Sequence, residues 1–464
     1  MTRGVIVLIG AVVYIAVLFV IVAIYKSRAS KDADSFATAN RSISVLMLTT
    51  MVMSVSVAST AVLGTSDQGA AVGLSGAWFT WTGGLGMICA GFLTAKWYRK
   101  QKIITVPEAF GNTWDKKTRM VSLIPFAVQG YIGYLCQIPL TTTVLAPLLG
   151  IDPQICYIVL PIVFIGLFLV AGVWGIAITS LINFAVLWIG VIIGLIVGVS
   201  NAGGFSSLST LPQSYFNLGA PGVATIISWL VGAVFFSVYA AGSQVAGAKD
   251  ERTAKRGLIY GGILVLIFGF IPPLLGMFTK VSMPEVQGGV IAAVGASTAI
   301  PFHTIMVMGV IAAIVSTVPF QLYMAPSVIT VDLIKGYLKP DITPKAQLNC
   351  IRIIGAVLGL TAIPLAPIVL KAGIIPTIQK ASQVAVFAAF VLLTHIYIRR
   401  VSKTAAFWSI LIPAIVAVIW IIFPIWGWAP IYPAMIIGFP TMIVTMICFP
   451  AKSQKEPATE TSKA

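Results

Sequence analysis

Long apolar runs separated by short polar segments make up most of this 464-residue chain. About thirteen of them approach or exceed the roughly 20 residues that cross the hydrocarbon core of a bilayer as an α-helix. They lie near residues 5–25, 43–64, 73–97, 120–149, 155–172, 175–199, 222–246, 257–279, 303–334, 347–369, 374–398, 404–425 and 430–449. The pattern predicts an all-α membrane protein with about thirteen transmembrane helices joined by short loops.

Lysines and arginines are concentrated in alternate connecting segments. The basic set comprises Lys26, Arg28, Lys31 and Arg41; Lys96 through Arg119; Lys249 through Arg256; Lys335, Lys339 and Lys345; Arg399, Arg400 and Lys403; and the C-terminal tail. The other set holds Arg3, Lys280, Lys371 and Lys380. Because basic loops stay in the cytoplasm, the pattern predicts a multi-pass protein of the cell (inner) membrane, with the N-terminus outside and the C-terminus cytoplasmic.

Composition supports a membrane protein, since 58% of the residues are hydrophobic and 9% are charged. The net charge of +16 is spread over short loops beside the membrane, where anionic lipid is the expected partner and nucleic acid is not. All five cysteines lie inside apolar runs, as buried small side chains do, and not at the spacing of a metal site. We therefore expect no bound cofactor, and nothing in the pattern requires an oligomer.

Two predicted spans carry small and polar residues at depth. The run 43–64 contains Ser54, Ser56, Ser59 and Thr60, and the run 222–246 contains Ser228, Ser237, Tyr239, Ser243 and Gln244. Such residues favour interrupted helices that line a cavity, although small residues also let neighbouring helices pack closely.

The two polar spans are five spans apart, so they enter the membrane from opposite sides. Spans two to six and seven to eleven could therefore be copies related by a pseudo-two-fold axis in the membrane plane. The predicted organisation is a first helix and cytoplasmic loop (1–42), a first five-helix repeat (43–200), a second inverted repeat (222–400), two additional C-terminal helices (401–450) and a disordered cytoplasmic tail (451–464).

The predicted topology leaves no aspartate or glutamate near the bilayer centre, where a proton relay would need one. Neutral oxygens can hold Na⁺ instead, as carbonyls of a broken helix or as hydroxyls. Ser316 and Thr317 are adjacent hydroxyls in the middle of span nine. They are candidate ligands, and the alternative is that both bond back to carbonyls of their own helix.

Several stretches between residues 30 and 340 form an ordered set: 36–42, 58–64, 73–76, 105–108, 175–183, 248–256, 313–317 and 327–332. In content, order and spacing they resemble the sodium:solute symporter family. The resemblance implies a LeuT-like core of ten helices in two inverted five-helix repeats, with Na⁺ as the coupling ion. It also implies a Na⁺ site made by the carbonyls of Ser54, Val57 and Ala313 and the hydroxyls of Ser316 and Thr317.

The chain departs from the family pattern at several positions. Ser180 stands where many members carry an acid, Asn183 replaces a glutamine, and Ser243-Gln244 replaces Gln-Arg. These differences favour one Na⁺ per cycle, and they keep open a Na⁺-independent facilitator or channel with the same fold.

The solute pocket is expected at the midplane between the repeats. Candidate contacts are the polar or aromatic residues at suitable depth: Ser56, Thr60, Gln129, Tyr134, Phe235, Phe236, Tyr239 and Gln383. Taken singly, each of these residues is better explained by packing between helices, so the prediction concerns the set. Lys380 lies about two turns inside the outer end of span eleven, where it either reaches the headgroups or contacts an anion.

The combined prediction is a secondary active transporter that imports a small organic solute with Na⁺ by alternating access. A small carboxylate is the solute if Lys380 contacts an anion. An enzyme is not expected, because the sequence offers no metal cluster, no His-Asp constellation and no nucleophile beside a base.

Overall fold

The computed structural model describes residues 3–29, 38–170, 173–286, 288–398 and 400–451. Apart from an isolated bridge between Ile43 and Ala248, the regular elements of these residues are helical. The α-helices are α1 Arg3–Ala29, α2 Val45–Ser56, α3 Thr65–Val72, α4 Trp78–Leu93, α5 Ala95–Gln101, α6 Val106–Thr113, α7 Lys116–Leu149, α8 Pro153–Val170, α9 Val173–Asn201, α10 Val223–Val245, α11 Glu251–Phe268, α12 Ile271–Ser282, α13 Val290–Ala296, α14 Ile300–Val328, α15 Pro344–Ala372, α16 Ile374–Ser382, α17 Val386–Leu393, α18 Lys403–Ile422 and α19 Ile431–Cys448.

The helices reproduce the predicted apolar runs. Within the described ranges, ten helical stretches are long and apolar enough to cross a membrane. The runs near 43–64 and 73–97 form a bent pair, Val45–Ser56 with Thr60–Leu93, and the run near 155–172 forms a shorter apolar helix, Pro153–Leu169. Residues 452–464, predicted to be a disordered tail, lie outside the described residues, as do Lys31 and Arg399.

Basic segments that are far apart in sequence meet at one end of the bundle. Arg41 donates to the Lys102 carbonyl at 2.8 Å, and Arg99 donates to the Ala248 carbonyl at 2.5 Å. Helices that start at this end have side-chain caps that bind first-turn amides: Ser44, Thr105, Asp115, Asp250, Thr343 and Ser402. The sequence had placed these segments on one side, and their contacts agree with that grouping.

Glycines allow the long helices of the core to approach each other closely. A Cβ built on Gly190 of α9 would lie 2.9 Å from the Gly309 Cα and from the Ile305 carbonyl oxygen, both on α14. Backbone therefore meets backbone at this crossing, as small residues permit in membrane bundles. The approach fixes α14, which carries the candidate hydroxyl pair.

The first polar span is interrupted, as predicted. α2 ends at Ser56, and the chain then bends by 62°. After the bend, a π-helical segment, Thr60–Gly64, leads into α3. Val57 lies at the bend with φ −98° and ψ 69°, outside the helical region.

The predicted interruption of the second polar span is wrong, since α10 runs without a break from Val223 to Val245. The hydroxyls of Ser228, Ser237 and Ser243 bond back to carbonyls of their own helix. Gly242 faces Tyr98, whose ring would lie 2.7 Å from an added Cβ. Close packing therefore explains Gly242, and back-bonding keeps the helix continuous, while Ser237 and Ser243 line a cavity as predicted.

Span eleven is less regular than the sequence suggested. A 3₁₀ turn, Gln383–Ala385, separates α16 from α17, and a π-helical segment, Thr394–Ile398, follows α17. Span nine likewise passes from α14 into a π-helical segment, Ile329–Leu338. Such departures from α-helix are frequent at functional sites.

Candidate functional site

The break after α2 releases backbone oxygens near the middle of the bundle. Because the helix ends at Ser56, the Ser54 carbonyl has no amide partner four residues further along the helix. Ser54 is 1% exposed, and its own hydroxyl has no hydrogen-bond partner. Val57, also predicted as a carbonyl ligand, caps the helix, and its amide donates to the Met53 carbonyl at 2.7 Å.

The hydroxyl pair of α14 meets the Ser54 carbonyl. Thr317 donates to this oxygen at 2.8 Å, and the Ser316 hydroxyl lies 3.4 Å from it. Both hydroxyls also bond back to the Ala313 carbonyl, at 3.0 Å from Ser316 and 2.8 Å from Thr317. The cross-helix contact and the back-bonding alternative thus occur together, and four of the five predicted Na⁺ ligands form one cluster.

The chemistry and spacing of this cluster fit a monovalent cation. Oxygen ligands lie about 2.4 Å from Ca²⁺, an ion of nearly the radius of Na⁺, so neighbouring ligands are about 3.4 Å apart. The four oxygens are already within 2.8–3.4 Å of one another along the contacts above. A small outward adjustment would place them around Na⁺, and their neutrality suits a single positive charge.

A cavity of about 150 Å³ lies beside this cluster. Val55 and Ser56 line it directly after Ser54, and Phe320 lines it one turn after Thr317. Four of the predicted solute contacts are among its lining residues: Ser56, Thr60, Gln129 and Phe236.

The other predicted solute contacts lie outside this cavity. The Tyr134 hydroxyl donates to the Gly359 carbonyl at 3.0 Å, and the Tyr239 hydroxyl donates to the Ser122 carbonyl. Phe235 stacks on Phe390 with ring centroids 4.2 Å apart, and Gln383 accepts from the Ile431 amide at 3.0 Å. The side chains of these residues contact neighbouring helices instead of the cavity.

Lys380 and Gln383 line a second pocket of about 300 Å³, with Trp229, Trp428 and Tyr432. We call it the outer pocket, because Lys380 belongs to the side predicted to be outside. Gln379 borders both the outer pocket and the cavity beside α2. The structure therefore places Lys380 near the cavity without making it a wall of that cavity.

Sequence reasoning missed most of the amides that line the cavity. Gln137, Gln244 and Gln321 join the predicted Gln129 there, together with Thr80. The available signal was a glutamine in the middle of an apolar run. It also marked Gln244 as a polar residue of a cavity-lining span, but among these four only Gln129 was predicted as a solute contact. The Ser59 hydroxyl donates to Gln137, which links the cavity wall to the broken helix.

The span-six positions that depart from the family pattern are buried in α9. Ser180 is fully buried, and its hydroxyl has no partner. Asn183 accepts a hydrogen bond from the Tyr14 hydroxyl of α1. Thus α9 contributes neutral groups at both positions.

The structure combines membrane-spanning helices, one broken span, a cluster of neutral oxygens at the break and an adjoining cavity. These are the features of a secondary transporter. Residues 36–413 match the sodium:solute symporter family, and the chain belongs to that family. A sodium/glucose cotransporter of Vibrio parahaemolyticus is 24% identical over 391 residues, which cover 74% of this chain and 70% of the relative.

The fold has a counterpart among solved structures. A Na⁺-coupled sialic acid symporter, solved in a substrate-bound outward-open state with a novel Na⁺ site, superposes with a TM-score of 0.79. Its sequence is 17% identical, and the alignment covers 97% of this chain and 98% of that chain. The LeuT-like fold is confirmed. The family assignment confirms a multi-pass membrane transporter and not an enzyme, and it supports Na⁺ as the coupling ion.

Proposed function

We propose that this protein imports a small organic solute together with one Na⁺ per cycle by alternating access. The observation that carries the proposal is the contact of Ser316 and Thr317 with the Ser54 carbonyl, at the break in α2 and beside the cavity. The carbonyls of Ser54, Val57 and Ala313 and the two hydroxyls are the proposed Na⁺ ligands.

Sodium would act by holding α2 and α14 together. At present the hydroxyl protons satisfy the Ser54 and Ala313 carbonyls. When Na⁺ binds, the carbonyl and hydroxyl lone pairs would turn towards the ion, and the protons would turn away. A bridge between the two helices would stabilise the outward-open state and so raise the fraction of protein that can bind solute. Rocking of one helix bundle against the other would then expose the site to the cytoplasm.

One Na⁺ supplies enough free energy for useful accumulation. A single charge moving through about 100 mV contributes roughly 2.3 kcal/mol, and a tenfold Na⁺ gradient adds about 1.4 kcal/mol. Together they could sustain a solute ratio on the order of several hundred-fold. We place the transporter in the inner membrane, with its N-terminus outside and its C-terminus in the cytoplasm, on the basis of the alternating basic segments.

Thermal unfolding of the purified protein tests the ion site. Measured in NaCl, KCl and choline chloride at equal ionic strength, the wild type should be most stable in NaCl. An ion that binds only the folded state at ten times its Kd adds about 1.4 kcal/mol. The double variant Ser316→Ala, Thr317→Ala should lose this Na⁺-specific increment.

A matched control is available in Thr141 and Thr142 of α7. They are adjacent buried hydroxyls that bond back to the carbonyls of Gln137 and Ile138. Thr141→Ala with Thr142→Ala should keep the Na⁺ increment, because each hydroxyl bonds to a carbonyl of its own helix. Equal stability of the wild type in all three salts would refute the sodium site.

A Na⁺-independent facilitator is the main alternative, given the neutral Ser180 and the Ser243-Gln244 pair. Proteoliposomes with an imposed inward Na⁺ gradient separate the two functions. A symporter raises the internal solute concentration above the external one, whereas a facilitator stops when the concentrations are equal.

The carboxylate hypothesis depends on Lys380 in the outer pocket. If its ammonium group contacts an anionic solute on the way to the cavity, Lys380→Gln should raise the transport KM for small carboxylates. The KM for neutral solutes should stay the same. An unchanged KM for carboxylates would remove the hypothesis and leave Lys380 as a lipid-facing or structural residue.

A further inference from the structure

Residues in the wall of the cavity beside α2 carry several unsatisfied polar groups. Six buried side-chain atoms of its lining residues have no hydrogen-bond partner: Thr60 Oγ1, Thr80 Oγ1, Gln129 Oε1, Gln137 Nε2, Gln244 Oε1 and Gln321 Oε1. Buried polar atoms in proteins are nearly always paired, so each exception needs an explanation. A polar ligand in the cavity would offer partners to these side chains.

No charged side chain occurs among the described residues that line this cavity. Arg119 and Asp332 bond to each other at 2.6 Å at the basic end of the bundle, and Lys380 lines the outer pocket. A cationic solute would therefore lose its water there without gaining an opposite charge, which is strongly unfavourable. An anionic solute would have only the proposed Na⁺ as its counter-charge, so the hydrogen-bonding groups of the wall decide between an anion and a neutral solute.

The amides also define which polar groups the solute must carry. An amide carbonyl needs an N–H or O–H donor, and an amide NH₂ needs an acceptor. A carboxylate only accepts hydrogen bonds, and a quaternary ammonium group donates none. A hydroxyl or a carboxamide does both, so it can pair with a glutamine whichever way the amide is turned.

Gln137 is held in place by the residue that follows the break in α2. The Ser59 hydroxyl donates to its Oε1, which leaves Nε2 as the unpaired end. Gln137 is fully buried, so its amide has little freedom to turn away. Solute bound to Gln137 would thus be connected through Ser59 to the helix that carries the Ser54 carbonyl.

We infer that Gln129, Gln137, Gln244 and Gln321 are the specificity-determining residues, and that they bind a neutral solute with at least two hydroxyl or carboxamide groups. A cavity of 150 Å³ holds a molecule the size of benzene, which sets the solute at about six to ten non-hydrogen atoms. Phe79, Phe236 and Phe320 pack against its carbon skeleton. The inference rests on the proposed function, and it selects neutral solutes over carboxylates.

Solutes matched in size but not in charge test the inference. Lactamide is neutral and lactate is an anion with the same number of non-hydrogen atoms. Glyceramide and glycerate form a second pair of this kind. In NaCl, the neutral member of each pair and erythritol should raise the unfolding temperature of the full-length protein, and the anions should not. The inference would be overturned if lactate or glycerate stabilised the protein at least as much as the amides do. It would also be overturned if no neutral solute had any effect.

Two variants test the glutamines. Gln244→Leu and Gln321→Leu should each weaken binding of the neutral solutes by about tenfold or more, while the Na⁺ increment without solute persists. Because each change removes an unpaired buried amide, the solute-free protein should be at least as stable as the wild type. The exposed Gln213→Leu is the control and should change neither quantity.

The outcomes distinguish failure of the neutral-solute inference from failure of the proposed Na⁺ coupling. Loss of solute-free stability in Gln244→Leu and Gln321→Leu without loss of solute affinity would assign the amides a structural role and refute the inference. Binding of neutral solutes to a protein that shows no Na⁺ increment would refute sodium coupling and leave the inference standing.

Discussion

The contacts of some residues at the site could be predicted from the sequence, and those of others could not. The Ser316 and Thr317 pair was identified as two adjacent hydroxyls in an apolar span, and the structure brings it to the Ser54 carbonyl. Tyr134 and Tyr239 have equally suitable depth, yet each hydroxyl bonds to a carbonyl of another helix outside the cavity. Depth follows from position in the run, whereas the direction of a side chain depends on the neighbouring helix.

The buried ion pair between Arg119 and Asp332 gives a prediction at the residue scale. Asp332 is fully buried and accepts from Arg119 and from Thr105, so removing Arg119 leaves a buried carboxylate without its counter-charge. Arg119→Ala should lower the free energy of unfolding by about 3 kcal/mol, measured by denaturant titration in detergent.

The matched control is Lys100, which lies 4.0 Å from Glu251 with both side chains largely exposed. Lys100→Ala should change the free energy of unfolding by less than about 1 kcal/mol. Replacing both Arg119 and Asp332 by leucine should restore most of the stability lost in Arg119→Ala. If Arg119→Ala is no more destabilising than Lys100→Ala, the buried pair does not stabilise this end of the bundle.

At the scale of helices, similar sequence signals had different outcomes. Polar residues marked a break in the span that contains α2, but in α10 they bond back to their own helix, which stays continuous. Serine and glycine serve both purposes, and only the packing of neighbours decides between them. The irregular turn between α16 and α17 had no local signal strong enough to predict it.

The crossing of α9 and α14 gives a prediction at this scale. Gly190→Ala should lower the free energy of unfolding by about 1–3 kcal/mol, because the new methyl group would press on backbone atoms of Gly309 and Ile305 that cannot rotate away. Gly166→Ala on α8 is the control, since an added Cβ there has no atom within 4 Å. It should be neutral or stabilising by up to about 1 kcal/mol. Equal effects of the two changes would mean that α9 can move away from α14 at little cost.

At the scale of the whole molecule, the alternation of basic segments predicts a direction in the membrane. The exposed positions Gln213 and Asp341 belong to opposite predicted sides. In a background that lacks the exposed Cys448, a membrane-impermeant maleimide should label Gln213→Cys in intact cells and Asp341→Cys only after permeabilisation. Labelling of Asp341→Cys in intact cells would invert the topology and the direction of transport proposed above.

The sequence by itself determined the spans, their alternating basic loops, the family and the hydroxyl pair, because these depend on composition, order and short spacing. It also predicted the LeuT-like fold, through the resemblance and the odd separation of the two polar spans. The tertiary structure alone decided that α10 is continuous, that Lys380 lies in a second pocket and not in the cavity, and that glutamines of three helices, α7, α10 and α14, share one cavity.

The physical reason is that lipid and protein interior are both apolar. In a soluble protein a helix shows its buried face by its hydrophobic stripe, but in a bilayer both faces of a helix are apolar. The sequence therefore indicates how deep Gln137, Gln244 and Gln321 lie, and only the packing of α7, α10 and α14 around the broken α2 brings them to the same cavity.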